Sequence, residues 1–346
     1  MKLNFKLLSW FSQNKKDLPW RKTQDPYKIW LSEIILQQTR INQGLEYYER
    51  FIKTFPTVEN LAKAKEEEVL KLWQGLGYYS RARNIHFTAK FIFFEQNGAF
   101  PNSFKDLQQL KGIGKYTAAA IASIVHQEPV AAIDGNAFRV YARLFSIDLD
   151  IAKSSSFNYF FALGNSIIDK QNPGDFNQAI MDLGSTICLP KNPLCEKCPI
   201  QTDCKSFSEN TVQFFPVKSK KQTAKEVDIH YLLILDKKNT FILRKRDDSS
   251  IWANLFDLPE IKTIVRNKND IELLIKNNEI DFLFSKEHLL THRKLKIYFY
   301  STVISDDLFY QELLKNEKYV RVRKSELHQY ALPKPIEFLF NQNVLL

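Results

Sequence analysis

Cys188-Leu189-Pro190-Lys191-Asn192-Pro193-Leu194-Cys195-Glu196-Lys197-Cys198-Pro199-Ile200-Gln201-Thr202-Asp203-Cys204 contains all 4 cysteines of a 346-residue chain. Sulfurs confined to one short segment do not make a disulfide framework, whose cysteines are spread along the chain. Spaced Cys-x6-Cys-x2-Cys-x5-Cys, they read as one loop ligating either a zinc ion or a single cubane iron–sulfur cluster.

Upstream of the loop the chain reads as helices. Apolar residues recur at helical spacing within 10–11, 29–34, 45–55, 69–73, 87–94, 118–125, 138–145 and 157–168, with breaks such as Phe55-Pro56-Thr57 and Gly98-Ala99-Phe100-Pro101. An all-helical domain over 1–205 follows. Downstream, 206–227 is rich in Lys, Ser, Thr and Gln and reads as a linker. Beyond it, strand patterns at Ile229–Leu235, Thr240–Lys245 and Lys296–Val303 predict an α+β domain over 228–346. A turn at Asp236–Asn239 and helical patterns at Asp270–Lys276 and Asp307–Lys315 complete it. The length suits two domains, and 44% hydrophobic with 25% charged residues is a globular composition.

The net charge of +10 divides evenly, +5 over 1–210 and +5 over 211–346, and favours an anionic partner without a basic tail. The N-terminus shows no signal-peptide pattern, and no apolar run approaches the roughly 20 residues that span a bilayer. The expectation is a cytoplasmic protein with no membrane attachment.

Three further stretches carry chemistry. Leu110-Lys111-Gly112-Ile113-Gly114-Lys115-Tyr116-Thr117-Ala118 looks like a helix–hairpin–helix element. Gly112 and Gly114 permit a sharp turn, and backbone N–H groups at the following helix start, with Lys115, can hold a DNA phosphate. Glu33 lies on a helix expected to start at Asp25-Pro26, where Trp30, Glu33, Ile34 and Gln37 share one face. Desolvation of a carboxyl on an apolar stripe raises its pKa and suits a general acid. Asp134, in Ala132-Ile133-Asp134-Gly135-Asn136-Ala137, precedes another helix. Asp before Gly-Asn is ordinary turn chemistry, but a carboxylate beside a sugar also stabilises an oxocarbenium-like transition state.

Taken together, residues 5–205 resemble the helix–hairpin–helix DNA glycosylases of the endonuclease III superfamily, whose iron–sulfur loop has the same cysteine spacing. Within that superfamily the MutY-type adenine DNA glycosylases are matched by Leu18-Pro19-Trp20-Arg21, Leu31-Ser32-Glu33, Leu36-Gln37-Gln38-Thr39, Gly75-Leu76-Gly77-Tyr78-Tyr79-Ser80-Arg81-Ala82-Arg83 and Met181-Asp182-Leu183-Gly184. The resemblance implies a [4Fe–4S] cluster on Cys188, Cys195, Cys198 and Cys204. It makes Glu33 the acid that protonates adenine and Asp134 the stabiliser of the sugar cation, with Tyr116 and Asn136 assisting. It places Trp20, Arg21 and Asp182 around the flipped base. Gln38, Thr39 and Leu76 are then directed at the opposite base, and Tyr78 is wedged into the stack. The implied partner is double-stranded DNA with A:8-oxoguanine or A:G mispairs, bound by a monomer.

Bifunctional relatives carry a Schiff-base lysine directly after the hairpin. Tyr116 stands there, and a phenol cannot form an imine, so the expected enzyme is monofunctional. The alternatives are a strand-cleaving lyase acting on oxidised pyrimidines and a non-catalytic lesion sensor. The C-terminal domain resembles the Nudix-like module of the same family through Ser250-Ile251-Trp252-Ala253-Asn254-Leu255-Phe256-Asp257-Leu258-Pro259 and Leu290-Thr291-His292. The second stretch corresponds to the lesion-reading loop, where relatives carry Phe-Ser-His. Thr291 keeps a hydroxyl there, while Leu290 removes an aromatic face. After Pro259, the run Glu260-Ile261-Lys262-Thr263-Ile264-Val265-Arg266 lacks the glutamate-rich pattern of a metal-dependent Nudix hydrolase.

Overall fold

Asp25 starts the helix that carries Glu33. Its side chain accepts the Tyr27 N–H at 2.9 Å, and Pro26 takes the first helical position, where an N–H would have no partner. The computed structural model describes residues 2–219, 224–236, 238, 240–263, 280–304, 311 and 313–342. In chain order the helices are α1 (Leu3–Asn14), α2 (Pro26–Leu36), α3 (Ile41–Thr54), α4 (Val58–Lys63), α5 (Glu66–Trp73) and α6 (Ser80–Lys90). They continue with α7 (Phe104–Leu107), α8 (Lys115–Val125), α9 (Gly135–Leu144), α10 (Ser154–Ile167), α11 (Pro173–Thr186) and α12 (Lys205–Ser208). The chain divides into two compact units, Met1–Lys63 with Asn84–Lys221, and Ala64–Arg83 with Gln222–Leu346.

In the first unit α2 packs on α3 and α8, and α11 packs on α1, α8 and α9. The core formed by α1, α9, α10 and α11 includes Leu7, Phe11, Tyr141, Phe160 and Phe176, all buried. Each such side chain contributes roughly 1.5–3 kcal/mol by leaving water. The polar stretch after the cysteines stays attached to this unit. Ser206 is buried beside Ser146, Arg143 Nε donates to the Phe215 carbonyl at 2.9 Å, and the Ile151 N–H donates to the Val217 carbonyl at 3.0 Å. Composition does not reveal these anchors, because they are mostly backbone carbonyls.

The second unit holds a six-stranded mixed sheet of β1 (Lys225–Asp236), β2 (Thr240–Lys245), β3 (Phe256–Asp257), β4 (Asp281–Leu289), β5 (Arg293–Ile304) and β6 (Tyr319–Arg323). The order is β3-β2-β1-β5-β4, with β6 also on β2; β1 and β5 are parallel and the other pairs antiparallel. Tyr231, Leu233, Leu243, Ile297 and Phe299 on one face pack with Ile336 and Leu339 of α13 (Lys334–Asn341). Asp236 shapes the β1–β2 turn by accepting the N–H groups of Lys238 and Thr240 at 2.8 Å each. The strands expected at 229–235, 240–245 and 296–303 are all present, the first and last longer than their apolar cores. The helical pattern at 270–276, part of that at 307–315, and 264–266 of the run after Pro259 lie outside the described residues.

Residues 64–83 join this unit through contacts far apart in sequence. Lys245 Nζ donates to Glu67 Oε1 at 2.7 Å, Asn254 Nδ2 to Glu66 Oε1 at 2.7 Å, Lys71 Nζ to the Tyr330 carbonyl at 2.9 Å, and Arg83 to the Ala253 carbonyl at 2.8 Å. Tyr79 is buried and donates its hydroxyl to the Leu332 carbonyl at 3.3 Å.

Candidate active site

Four elements of the first unit, α2, α8, α9 and α11, wall a cavity of about 840 Å³ that contains Glu33, Tyr116, Asp134, Asn136, Met181 and Asp182. Glu33 and Asp134, 101 positions apart, therefore share one chamber. The Tyr116 hydroxyl donates to Glu33 Oε2 at 2.8 Å, with Met181 Sδ 3.1 Å away. One turn on, Gln37 Nε2 donates to Thr117 Oγ1 at 3.2 Å, so both polar residues of this α2 face meet α8. Burial pushes the Glu33 carboxyl up to about 7; the Tyr116 hydrogen bond opposes the rise, the Asp134 charge adds to it, and Arg21 opposes it. Tyr116 is driven well above its ordinary value, first by burial, and stays protonated.

Asp134 caps α9, as its position before Gly-Asn led one to expect. Oδ1 accepts the N–H groups of Asn136 at 2.9 Å and Ala137 at 2.7 Å, and Oδ2 accepts Asn136 Nδ2 at 2.8 Å. Burial raises its pKa, while these donors and Arg139 oppose the rise. The cap holds this carboxylate in the chamber it shares with Glu33. Behind Asn136, Arg139 donates to Asn136 Oδ1 at 2.7 Å, the Gly184 carbonyl at 2.6 Å and the Cys188 carbonyl at 2.7 Å. The chamber contrasts one carboxyl that keeps its proton near neutrality with another surrounded by N–H donors, a division of labour suited to acid catalysis beside a developing cation.

Trp20, Arg21, Asp182, Gln38 and Thr39 fall around the same space. Trp20 and Arg21 follow Leu18 in a 3₁₀ turn (Pro19–Arg21); Trp20 lines the cavity and packs edge-on against Tyr48 at 5.0 Å, serving core and cavity together. Arg21 makes a two-pronged ion pair with Asp182 at 2.8 and 2.9 Å, which commits both Asp182 oxygens. Gln38, at φ +59°, and Thr39 also line the cavity. Sequence reasoning missed Lys16, Arg40 and Met181 in the lining. No spacing marks the two cations, although Met181 lay inside a quoted motif.

The hairpin turns at Gly112, φ +81°, where a Cβ would stand 2.6 Å from Asn84 Cβ, and α8 begins at Lys115 after Gly114. Thr88 Oγ1 braces the turn by donating to the Lys111 carbonyl at 2.7 Å. Lys115 Nζ sits 4.8 Å over the Phe157 ring. Lys191 and Lys197 of the cysteine loop are exposed.

All 4 cysteines line one small cavity with Ile187, Pro193 and Phe207. Arg143, buried at 3% exposure, donates to Cys188 Sγ at 3.3 Å and to the carbonyls of Leu189 at 2.7 Å and Pro190 at 3.2 Å. Burial pushes Cys198 up to about 12 and raises Cys195 and Cys204 as well. Thiolates there need a cationic centre between them. Among the described residues no three His, Cys, Asp or Glu side chains stand as ligands of a single metal ion. Four cysteines around one apolar hollow suit a thiolate-ligated metal group.

In the second unit, Leu290–His292 forms the tip of the β4–β5 hairpin. Thr291 and His292 are exposed, and the His292 carbonyl accepts the Lys225 N–H at 3.1 Å. Tyr78, 48% exposed and at φ +48°, has its hydroxyl 2.8 Å from Thr291 Oγ1. Leu76, by contrast, is buried. Two residues 213 positions apart thus form one polar contact on this unit.

Residues 31–160 match the HhH-GPD superfamily of base excision DNA repair proteins, and residues 230–342 match the NUDIX domain. A solved thermostable thymine-DNA glycosylase is similar with TM-score 0.55 at 28% identity, over 60% of this chain and 95% of its own. A non-covalent endonuclease III–DNA complex shares the fold at 21% identity, with TM-score 0.51 over 60% and 94%. Fold and chamber together define a helix–hairpin–helix DNA glycosylase with a C-terminal Nudix-like domain. Adenine DNA glycosylases of Buchnera aphidicola subspecies Baizongia pistaciae and Schizaphis graminum are 38% and 34% identical, over 84% and 96% of this chain and 83% and 95% of their own. The human adenine DNA glycosylase is 41% identical over 58% of this chain and 38% of its own. The chain belongs to the adenine DNA glycosylase family of base excision repair. Among the described residues no helix is long and apolar enough to cross a membrane.

Proposed function

We propose that the enzyme excises adenine paired with 8-oxoguanine or guanine, hydrolytically and without cutting the strand. The observation that carries this reading is the chamber in which Glu33, raised to about 7, faces the same space as Asp134. Adenine flips out of the duplex at an unstacking cost of roughly a few kcal/mol and enters between α2, α8, α9 and α11. Protonated Glu33 donates to the adenine ring. With the Tyr116 hydroxyl on Oε2, the acidic proton is assigned to the other carboxyl oxygen. The bond from C1′ to adenine then breaks with its electron pair on the leaving base. Ionised Asp134, ordered by Asn136, stabilises the sugar cation until water adds at C1′. Trp20, and Arg21 held by Asp182, shape the chamber.

Tyr116 supports the monofunctional assignment, since it occupies the lysine position and its hydroxyl is already engaged with the acid. Gly112, Gly114 and Lys115 hold a phosphate. Tyr78, Thr291 and His292, with Gln38 and Thr39, address the base opposite adenine, while Leu76 is buried; the Tyr78–Thr291 contact is what favours a shared task for the first two. Cys188, Cys195, Cys198 and Cys204 hold a [4Fe–4S] cluster, which when bound supplies a rigid anchor for the loop bearing Lys191 and Lys197. The domain assignment is a catalytic domain over 1–205, a connection over 206–227 and a recognition domain over 228–346, with 64–83 contributing to the recognition unit. The protein acts as a monomer in the compartment that holds DNA.

Incubation with duplexes carrying adenine opposite 8-oxoguanine or guanine, followed by alkali, tests the reading. Strand breaks only after alkali support it. Breaks without alkali would mean a lyase, and none at all a lesion sensor.

A further inference from the structure

Gly184 lies on α11, in the Met181-Asp182-Leu183-Gly184 segment. A Cβ at this position would stand 2.6 Å from Asn136 Cβ, 3.1 Å from its Cα and 3.2 Å from its Cγ. The three nearest atoms thus all belong to Asn136. Two of them are fixed by the backbone of α9, so no rotamer change relieves the overlap; the start of α9 itself has to retreat. The same glycine also reaches Asn136 by a second route. Its carbonyl accepts Arg139 at 2.6 Å, through the nitrogen that donates to Asn136 Oδ1 at 2.7 Å.

We propose that Gly184 is a positioning residue for Asn136 and, through it, for the Asp134 carboxylate. The missing side chain lets α9 close on α11 until the Asn136 amide meets Asp134 Oδ2 at 2.8 Å. Gly costs helix stability relative to Ala, and no left-handed φ demands it at 184, so space is its physical justification. The proposal rests on the reading of Asp134 as the ionised partner of Glu33.

The test is single-turnover adenine release by the cluster-loaded protein at saturating enzyme, as a function of pH, on duplexes with adenine opposite 8-oxoguanine. Gly184→Ala should slow release about 10- to 100-fold with DNA affinity unchanged. It should also move the acid limb to higher pH, because the Asn136 amide is among the donors holding the Asp134 pKa down. In an Asn136→Gly background, which removes the closest contact, the same change should add little, so the two effects are non-additive. Gly174→Ala on the same helix is the packing control. Its Cβ would meet Ile124 Cα and the Ser123 carbonyl at 2.8 Å, so it should lower the melting temperature and leave the acid limb in place.

A Gly184→Ala enzyme with native rate and native acid limb, alongside a slow Asn136→Ala enzyme, overturns the proposal and spares the reading of the chamber. Native behaviour of Asn136→Ala overturns the reading itself. Should Gly184→Ala not fold, recovery of folding on adding Asn136→Gly supports the proposal, and failure to recover overturns it.

Discussion

The Tyr116 hydroxyl hydrogen points at Oε2 of Glu33 across 2.8 Å, joining the residue after the hairpin to the only carboxyl on α2. On the proposed reading, one phenol takes the place of the Schiff-base lysine and also orients the acid. Removing the hydroxyl with Tyr116→Phe has two separable consequences. The hydrogen bond holds the Glu33 pKa down, so its loss moves the alkaline limb of the rate profile to higher pH. Loss of orientation lowers the plateau by about tenfold. Single-turnover excision between pH 5 and 9 measures both, and an unmoved alkaline limb would refute the coupling.

Glu33→Gln should bind the mispair and release no adenine above background. The pH dependence of the native enzyme has a definite sign. On the proposed mechanism Glu33 works protonated, so the rate should fall as pH rises through about 7. With Asp134 as its ionised partner, the rate should also fall on the acid side, at a pH above the ordinary Asp range. Stability follows from the same shift. The folded Glu33 pKa lies above its unfolded value, so its contribution is fully present below about 4.5 and lost as pH rises through about 7. Glu33→Gln should therefore melt higher than the native protein at pH 8, by up to a few kcal/mol, with the difference vanishing near pH 4. Equal melting at pH 8 would contradict a desolvated Glu33.

Local chemistry carried much of this into the sequence. Asp25-Pro26 marked the start of α2, Asp134-Gly135-Asn136 the cap of α9, and Gly112 the hairpin turn, because each is a contact made within a few residues. The convergence of Glu33 and Asp134 had no local signature, since it depends on α2, α8, α9 and α11 packing around one space. β4 was missed because its mostly exposed residues include Lys286 and Glu287, and it pairs through its backbone. β6, Tyr319-Val320-Arg321-Val322-Arg323, alternates apolar and basic residues, the pattern of a strand with one covered face. The attachment of 64–83 to the second unit rests on Glu66, Glu67 and Lys71, charged residues that read as a solvated helix face until their partners are seen.

The Tyr78–Thr291 pair supplies a test of lesion reading. Thr291→Val keeps the side-chain shape and removes the hydroxyl, and Tyr78→Phe removes the other half of the same contact. Each should slow excision opposite 8-oxoguanine several-fold toward the rate opposite guanine and leave the latter unchanged. The double variant should cost no more than either single one, because only one contact is lost. Rates for both duplexes, and additive losses as the refuting outcome, decide it.

Arg143 is the buried cation of the cysteine loop, and its four acceptors lie at Cys188 Sγ and the carbonyls of Leu189, Pro190 and Phe215. Arg143→Ala leaves those part-buried carbonyls without their donor, at a cost of roughly 1–3 kcal/mol. Arg143→Lys keeps the charge, but a single ammonium cannot reproduce the planar fork that reaches four acceptors. Melting temperature and bound iron per chain should therefore fall in the order native, Lys variant, Ala variant. If the proposed cluster and Arg143 order the loop together, iron should be lost before α9 and α11 unfold. Full iron content in Arg143→Ala would show instead that the cysteines alone hold the loop in shape.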